Sequence, residues 1–155
     1  MTIRISEFLD KNSISLDLKA TTKKEVIEEL VDLLVQANKI PTSSKEEVKR
    51  ALMEREELGT TGIGKGVAIP HARTRTIPRI VAAFGRSRNG VDFEAVDGNP
   101  VNLFFLIVSP EDAAGHHTNA LARISRLLRD EFFRKALMNA TSPEEVMEII
   151  KGEEE

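Results

Sequence analysis

The chain has 155 residues, a hydrophobic fraction of 41% and a formal net charge of −3 at pH 7, which is typical of one soluble globular domain and too little charge to indicate a nucleic-acid or anionic-membrane partner. It has no cysteine, which excludes disulfides, thiolate catalysis and thiolate metal sites and is compatible with a reducing compartment. No apolar run approaches the roughly 18 residues of a membrane span and the N-terminus has no signal-peptide core, so we expect a cytoplasmic protein.

The first predicted elements are a strand and two helices. Residues 14–18 alternate apolar and polar side chains, as in a half-buried strand. Helices are expected over 22–38 and 43–58, because each begins with a Ser or Thr three residues before a Glu and continues with apolar residues at helical spacing. These two capping boxes are Thr22 with Glu25 and Ser43 with Glu46.

A glycine-rich segment follows the second helix. Four glycines lie within 59–66, which predicts a loop because glycine weakens both helices and strands. The segment is not a P-loop, since it lacks the Gly-Lys-Ser/Thr ending. Residues 67–69 predict a short strand that stops at Pro70, so His71 is expected directly after the end of a strand.

The second half of the chain predicts strands and then helices. Residues 80–87 and 101–108 are apolar and strand-like, and Asn89-Gly90 is a hairpin signal between them. A helix is expected from about His116, and a capping box with proline in its first turn predicts a last helix over 142–151.

This order of elements predicts a single α/β domain with a mixed β-sheet flanked by helices. We expect the domain to cover residues 1–152 and a disordered acidic tail to cover 153–155. Five arginines between Arg73 and Arg88 are interpreted only as a solvated strand face.

The three histidines, His71, His116 and His117, are the candidate nucleophiles. A neutral imidazole is a good nucleophile near pH 7 because its pKa lies close by. To accept a phosphoryl group it needs an exposed reactive nitrogen, an acceptor for its other nitrogen, and positive or N–H donors around the transferred oxygens.

The surroundings of His71 offer such groups. Pro70 restricts the backbone before it, and the amides of loop 59–66 are candidates to face an anion. His117 is expected where a helix begins, near free N–H groups, and Arg55 adds a positive charge at the end of the second helix. Each feature also has an ordinary explanation, as a strand end, a connecting loop, a surface position or a charged helix face, so these residues alone leave both interpretations open.

Residues 56–72, EELGTTGIGKGVAIPHA, resemble the active-site signature of the mannitol/fructose-type enzyme IIA domains of the sugar phosphotransferase system. That signature has an acidic or amide residue seven positions before an apolar residue, then a glycine, and finally Val-Ala-Ile-Pro-His with a small residue after it. Glu56, Ile63 and Gly64 match its first part, and 67–72 match the rest. The resemblance extends over nearly the whole chain and implies the fold of this family, which is α/β with a mixed sheet.

By this resemblance, His71 is the phosphorylated nucleophile, through its Nε2. His117 donates a hydrogen bond to the phosphoryl group, and Arg55 offsets its charge. His117 matches the second histidine of the family by its distance from the leucines of the following helix, whereas His116 falls one place earlier. The implied donor is a histidine-phosphorylated carrier of the HPr type, the implied acceptor is a IIB domain, and no metal or organic cofactor is implied.

Alternatives remain open at this point. A sugar-specific IIA of the fructose or mannitol class and a nitrogen-regulatory IIA, which signals through phosphorylation-dependent protein binding, share the same site. A zinc hydrolase using the three histidines is a remote alternative, because adjacent side chains on a helix diverge by about 100°. A IIA-like binding module without phosphotransfer is disfavoured by the presence of Arg55, His71 and His117.

Overall fold

The computed structural model describes residues 3–154, which form six strands and five α-helices. The strands are β1 (Ile14–Ser15), β2 (Gly62–Gly64), β3 (Val67–Ala68), β4 (His71–Thr74), β5 (Val81–Val91) and β6 (Val101–Pro110). The helices are α1 (Lys23–Gln36), α2 (Lys45–Leu58), α3 (Ala114–Leu128), α4 (Glu131–Asn139) and α5 (Pro143–Glu153). The sequence pattern predicts one helical stretch from about His116, whereas the structure divides it into α3 and α4.

All six strands form one mixed sheet, as the sequence predicts. Its order is β1-β5-β6-β3-β2, and β4 pairs with β6 beyond the end of β3. The β5/β6 and β2/β3 pairs are antiparallel, whereas β1/β5, β3/β6 and β4/β6 are parallel. Strand β4 therefore lies at an edge of the sheet, beside the C-terminal half of β6.

Alternate residues of β6 contribute to two hydrophobic cores, one on each face of the sheet. Leu103 and Phe105 belong to the core built with α3, α4 and α5. Phe104 and Leu106 belong to the core built with α1 and α2. The sheet is thus covered by helices on both faces, which confirms the predicted fold class. No helix within residues 3–154 has the length and apolar character needed to cross a membrane.

Two of the three predicted capping residues make the expected side-chain hydrogen bond. The Thr22 hydroxyl accepts from the Glu25 N–H at 3.2 Å, and the Ser142 hydroxyl accepts from the Glu145 N–H at 3.1 Å. The predicted Ser43 cap is wrong. A 3-10 turn over Thr42–Ser44 precedes α2, and the Ser44 hydroxyl donates to the Thr76 carbonyl at 3.1 Å instead of capping the helix.

Two turn predictions also need correction. The predicted glycine loop contains β2, which pairs with β3 through a hairpin. Asn89-Gly90 is not the predicted hairpin turn, because both residues lie inside β5 at a register shift against β6. The chain reverses between 92 and 100 instead.

The predicted disordered tail is wrong for residues 153 and 154, and Glu155 lies outside the described residues. Helix α5 continues to Glu153, and Glu154 is buried. Its carboxylate accepts from the N–H groups of Ile5 and Ser6 at 2.6 and 3.1 Å and pairs with Arg123 at 3.2 Å. This contact ties the C-terminal helix to the start of the described chain.

Candidate functional site

His71 begins β4, immediately after Pro70 interrupts the course of the chain beside β6. The sequence predicts His71 after the end of a strand, whereas the structure has it at the start of a further strand. The Pro70 carbonyl still accepts from the Ile107 N–H at 2.9 Å, so the chain stays attached to β6 through the break. Because β4 is an edge strand, His71 remains at the rim of the sheet.

The imidazole of His71 is oriented by its own chain. Its Nδ1 lies 2.8 Å from the carbonyl oxygen of Ile69. A carbonyl oxygen only accepts hydrogen bonds, so Nδ1 carries the hydrogen and donates it. In the neutral ring this leaves Nε2 unprotonated, with its lone pair available as a nucleophile.

The environment of His71 also favours the neutral ring. Burial is the largest influence and lowers its pKa, and the positive charge of Arg55 lowers it further. The hydrogen bond to Ile69 and the negative charge of Glu56 act in the opposite direction, but the resulting pKa is below the ordinary value of histidine. This lowered pKa favours the neutral imidazole, with Nε2 unprotonated, at neutral pH.

His117 lies in the first turn of α3 and faces His71. The two ring centroids are 5.5 Å apart and the rings are inclined by 53°. His117 shares a buried helix face with Ala120, Ile124 and Leu128, which pack against the sheet. His116, one position earlier, is exposed on another side of the helix.

His117 is neutral as well. Burial lowers its pKa to about 4, and the nearby His71 and Arg73 contribute in the same direction. Its Nδ1 lies 2.7 Å from the hydroxyl oxygen of Ser109, a fully buried residue of β6.

An open cleft of about 690 Å³ joins the end of α2, the edge strand β4 and the start of α3. It is lined by Ala51, Glu54, Arg55, Glu57, Leu58, His71, Ala72, Arg73, Glu111 and His117. The structure thus brings Arg55, His71 and His117 together on one surface. Arg55 is fixed there because its guanidinium donates to the Gly59 carbonyl at 2.7 Å.

Arg73 and Ser109 are two residues that sequence reasoning missed. Arg73 is two positions after His71 on β4, so it lies on the same side of the strand, and it lines the cleft as an exposed cation. The residue opposite Arg73 on β6 is Ser109. An alternating pattern starting at His71 would have indicated Arg73, but only if the strand after Pro70 had been anticipated.

The glycine-rich segment supports the site without lining the cleft. The sequence suggested that its amides face an anion, but the N–H groups of Thr61, Gly62 and Lys65 are bonded to side chains of the protein. Thr61 is held by the buried Glu56 carboxylate, which accepts from its N–H and its hydroxyl. The Thr61 carbonyl in turn accepts from the Ile69 N–H at 3.0 Å, so the segment anchors the residue that orients His71.

Glu56 is itself paired with a cation from α1. The Lys23 ammonium lies 3.0 Å from its carboxylate, and both side chains are largely buried. This pair joins α1 and α2 behind the loop. Within residues 3–154 no group of three or more His, Asp or Glu side chains is arranged to hold a metal ion.

A family model and the similar proteins of known sequence indicate the same family for this chain. Residues 7–153 match the family model described as "Phosphoenolpyruvate-dependent sugar phosphotransferase system, EIIA 2". Over 148 residues, 96% of this chain, the sequence is 41% identical to the PTS system fructose-specific EIIABC component of Bacillus subtilis (strain 168), and it spans 23% of that longer protein.

Two solved structures extend the comparison to the fold. The nitrogen regulatory protein IIA-Ntr from Neisseria meningitidis has a TM-score of 0.86 and 38% identity, with 94% of this chain and 98% of that chain covered. Enzyme IIAMtl from Escherichia coli, solved in complex with phosphorylated enzyme IIBMtl, has a TM-score of 0.77 and 26% identity, with 93% of this chain and 97% of that chain covered.

Proposed function

This chain belongs to the phosphoenolpyruvate-dependent sugar phosphotransferase system EIIA 2 family, and we propose that it carries a phosphoryl group on Nε2 of His71. The observation that carries this proposal is the hydrogen bond from Nδ1 of His71 to the Ile69 carbonyl. It leaves Nε2 as the nucleophilic nitrogen of a neutral imidazole at the edge of an open cleft.

The transfer is a direct exchange between two histidines. The Nε2 lone pair of His71 attacks the phosphorus of a phosphohistidine on the donor protein, in line with the bond that breaks. The N–P bond of the donor breaks as the new N–P bond forms, and its electron pair returns to the donor imidazole. The hydrogen of His71 stays on Nδ1, hydrogen-bonded to the Ile69 carbonyl oxygen, throughout the transfer.

The cleft supplies the groups that stabilise the transferred phosphoryl. Arg55 and Arg73 offset its negative charge, and His117 donates a hydrogen bond to one of its oxygens. His117 is a neutral donor, since its pKa is about 4, so it orients the group without adding a full charge. Because the cleft is open to solvent, a partner protein can approach His71 in line with the N–P bond that breaks.

We infer that the donor is a histidine-phosphorylated carrier of the HPr type and that the acceptor is a IIB domain in fructose- or mannitol-class sugar uptake, in the cytoplasm. The fructose-specific relative and the complex of IIAMtl with phosphorylated IIBMtl support this choice. The similarity to the nitrogen regulatory protein of Neisseria meningitidis favours a second candidate, a regulatory IIA that binds targets according to its phosphorylation state.

Labelling with phosphoenolpyruvate, enzyme I and HPr tests the carrier function. We expect a phosphate on the chain that is acid-labile and base-stable, and its absence in His71→Ala. His117→Ala should take the label more slowly or hold it less stably, because a hydrogen-bond donor to the phosphoryl group is lost. His116→Ala is the matched control and should behave like the parent chain. Full labelling of His71→Ala would remove His71 from the proposed role.

A second transfer step separates the two candidates. The phosphorylated chain is mixed with purified IIB domains of the fructose and mannitol classes, and the label on each protein is followed. Rapid movement of the label to a IIB domain supports sugar uptake. Retention of the label in the presence of both IIB classes contradicts it and favours the regulatory candidate.

A further inference from the structure

Ser109 is a residue of β6 behind the cleft, and its side chain contacts His117 of α3. It sits on β6 opposite Arg73, two residues after Ile107, which is opposite His71. Paired residues of adjacent strands point to the same face of a sheet, so Ser109 lies on the face of His71 and Arg73. Its side chain is 0% exposed, and its hydroxyl oxygen is 2.7 Å from Nδ1 of His117.

The hydrogen-bond partners available to Ser109 indicate which of the two groups donates in this contact. In the part of the chain that the structure describes, Nδ1 of His117 is the one hydrogen-bond partner of the Ser109 hydroxyl. If Ser109 accepted from Nδ1–H, its own hydroxyl hydrogen would be buried without an acceptor, which folded proteins avoid. If Ser109 donates to Nδ1, both groups are satisfied.

We propose that Ser109 is a positioning residue that holds His117 as the Nε2–H tautomer. The neutral ring of His117 has a single N–H, so the nitrogen that carries it decides whether a donor or a lone pair is presented to the cleft. With Nδ1 occupied by the Ser109 hydroxyl, the Nε2–H is the donor available to a phosphoryl oxygen. The opposite tautomer would present a lone pair to an anionic oxygen, which is repulsive.

The role given to Ser109 rests on the proposed function, but the tautomer of His117 can be measured without any phosphotransfer. His71 and His117 would be neutral imidazoles of opposite tautomer, held by two different partners. The Ile69 carbonyl keeps the hydrogen on Nδ1 of His71 and exposes a nucleophile. The Ser109 hydroxyl keeps it on Nε2 of His117 and exposes a donor.

Nitrogen NMR of the unphosphorylated chain at pH 7 tests the tautomer directly. Long-range proton–nitrogen correlation on ¹⁵N-histidine protein distinguishes protonated from unprotonated ring nitrogens. We expect His117 to be protonated at Nε2 and His71 at Nδ1. A proton on Nδ1 of His117 would overturn the proposal. The spectrum needs no phosphotransfer, so a chain that fails to label on His71 would leave this inference standing, and the reverse also holds.

Two variants test whether Ser109 is the cause. Ser109→Ala should lose the exclusive Nε2–H signal of His117 and lower the rate of phosphoryl transfer to His71 about fivefold, the size of one lost neutral hydrogen bond. Ser109→Thr keeps a hydroxyl and should restore both. Thr118→Ala, which removes a hydroxyl from an exposed neighbour of His117, is the matched control. An unchanged His117 tautomer together with an unchanged rate in Ser109→Ala would contradict the role given to Ser109.

Discussion

The His71 imidazole is neutral at the rim of the sheet although a hydrogen bond to Ile69 and the carboxylate of Glu56 both favour its charged form. Burial and the Arg55 cation outweigh them and lower its pKa. A cation in the cleft therefore has two effects. In the proposed transfer it would attract the incoming phosphoryl group, and it would also keep Nε2 of His71 unprotonated before that group arrives.

Arg55→Gln tests this double effect. A lowered pKa means that the neutral nucleophile persists as the pH falls, down to that lowered pKa. Removing the cation should raise the pKa of His71, so the acid decline of the labelling rate should move to higher pH. The rate at neutral pH should fall by about tenfold or less, because Arg55 is partly solvated and its charge is screened. NMR titration of His71 and the pH–rate profile provide the measurements.

Arg50→Gln is the matched control on the same helix. Arg50 is exposed and pairs with Glu47, and it does not line the cleft. It should leave the His71 titration unchanged. An Arg55→Gln chain whose His71 titrates at the parent pH would refute the electrostatic coupling.

The site residues differ in how far sequence could predict them. The local signature contains His71, and the ends of predicted helices contain Arg55 and His117. The sequence alone therefore indicates all three as candidates. Ser109 and Arg73 become neighbours only through the register of β4 against β6, which joins segments far apart in the chain. No local sequence pattern predicts that register. Pro70 predicts the end of a strand, so β4 is not expected after it.

At the level of elements, the five arginines of 73–88 prove to be of several kinds. Arg75 and Arg88 are exposed and pair with Glu111 and Asp17, as expected for a solvated face. Arg86 contradicts that interpretation, since it is only 1% exposed. Its guanidinium donates to the carbonyls of Leu16, Leu137, Met138 and Ala140.

Arg86 thus holds β5 to the C-terminal end of α4, where helix carbonyls lack partners within the helix. Arg86→Met keeps much of the side-chain length but leaves those carbonyls buried without a donor. We expect a loss of about 3 kcal/mol in the free energy of unfolding. Arg88→Met removes an exposed ion pair from the same strand and should change it by less than about 1 kcal/mol. Urea denaturation measures the free energy of unfolding of both variants. Equal losses would show that the hydrogen bonds of Arg86 to α4 do not stabilise the fold.

The elements were predicted best where one residue acts on its own neighbours. Thr22 and Ser142 cap their helices locally, so their motifs were sufficient. The Ser43 cap fails because a 3-10 turn over Thr42–Ser44 places Ser44 before the helix instead, and the Ser44 hydroxyl donates to the carbonyl of Thr76, a residue distant in sequence. Gly90 reads as a turn residue, but it is needed for close approach: an added Cβ would lie 2.8 Å from Pro100.

For the whole molecule, β6 contributes side chains to both hydrophobic cores, so both helical layers pack on opposite faces of the same strand. We expect the two layers to unfold together. Leu103→Ala and Leu106→Ala remove the same side chain from opposite faces of β6. Each should lower the free energy of unfolding by about 3 kcal/mol while leaving a single transition.

Two probes are needed to establish that the transition is single. The chain contains no Trp or Tyr, so far-UV circular dichroism is best paired with amide hydrogen exchange read separately in α1 and α3. Coincident loss of protection in both helices is the expected result for each variant. Selective loss in the layer that carries the substitution would contradict a shared unfolding unit.

The bond between His71 and Ile69 has a consequence for how long partners stay together. The imidazole is oriented by a backbone carbonyl two positions earlier in the same chain, without any contribution from another protein. If His71 is the phosphoryl acceptor, as proposed, a partner protein loses little binding energy to ordering the nucleophile, so weak and short-lived complexes are sufficient. On the proposed function, fast transfer would then not require tight association, and the same surface would bind a donor and then an acceptor in rapid alternation.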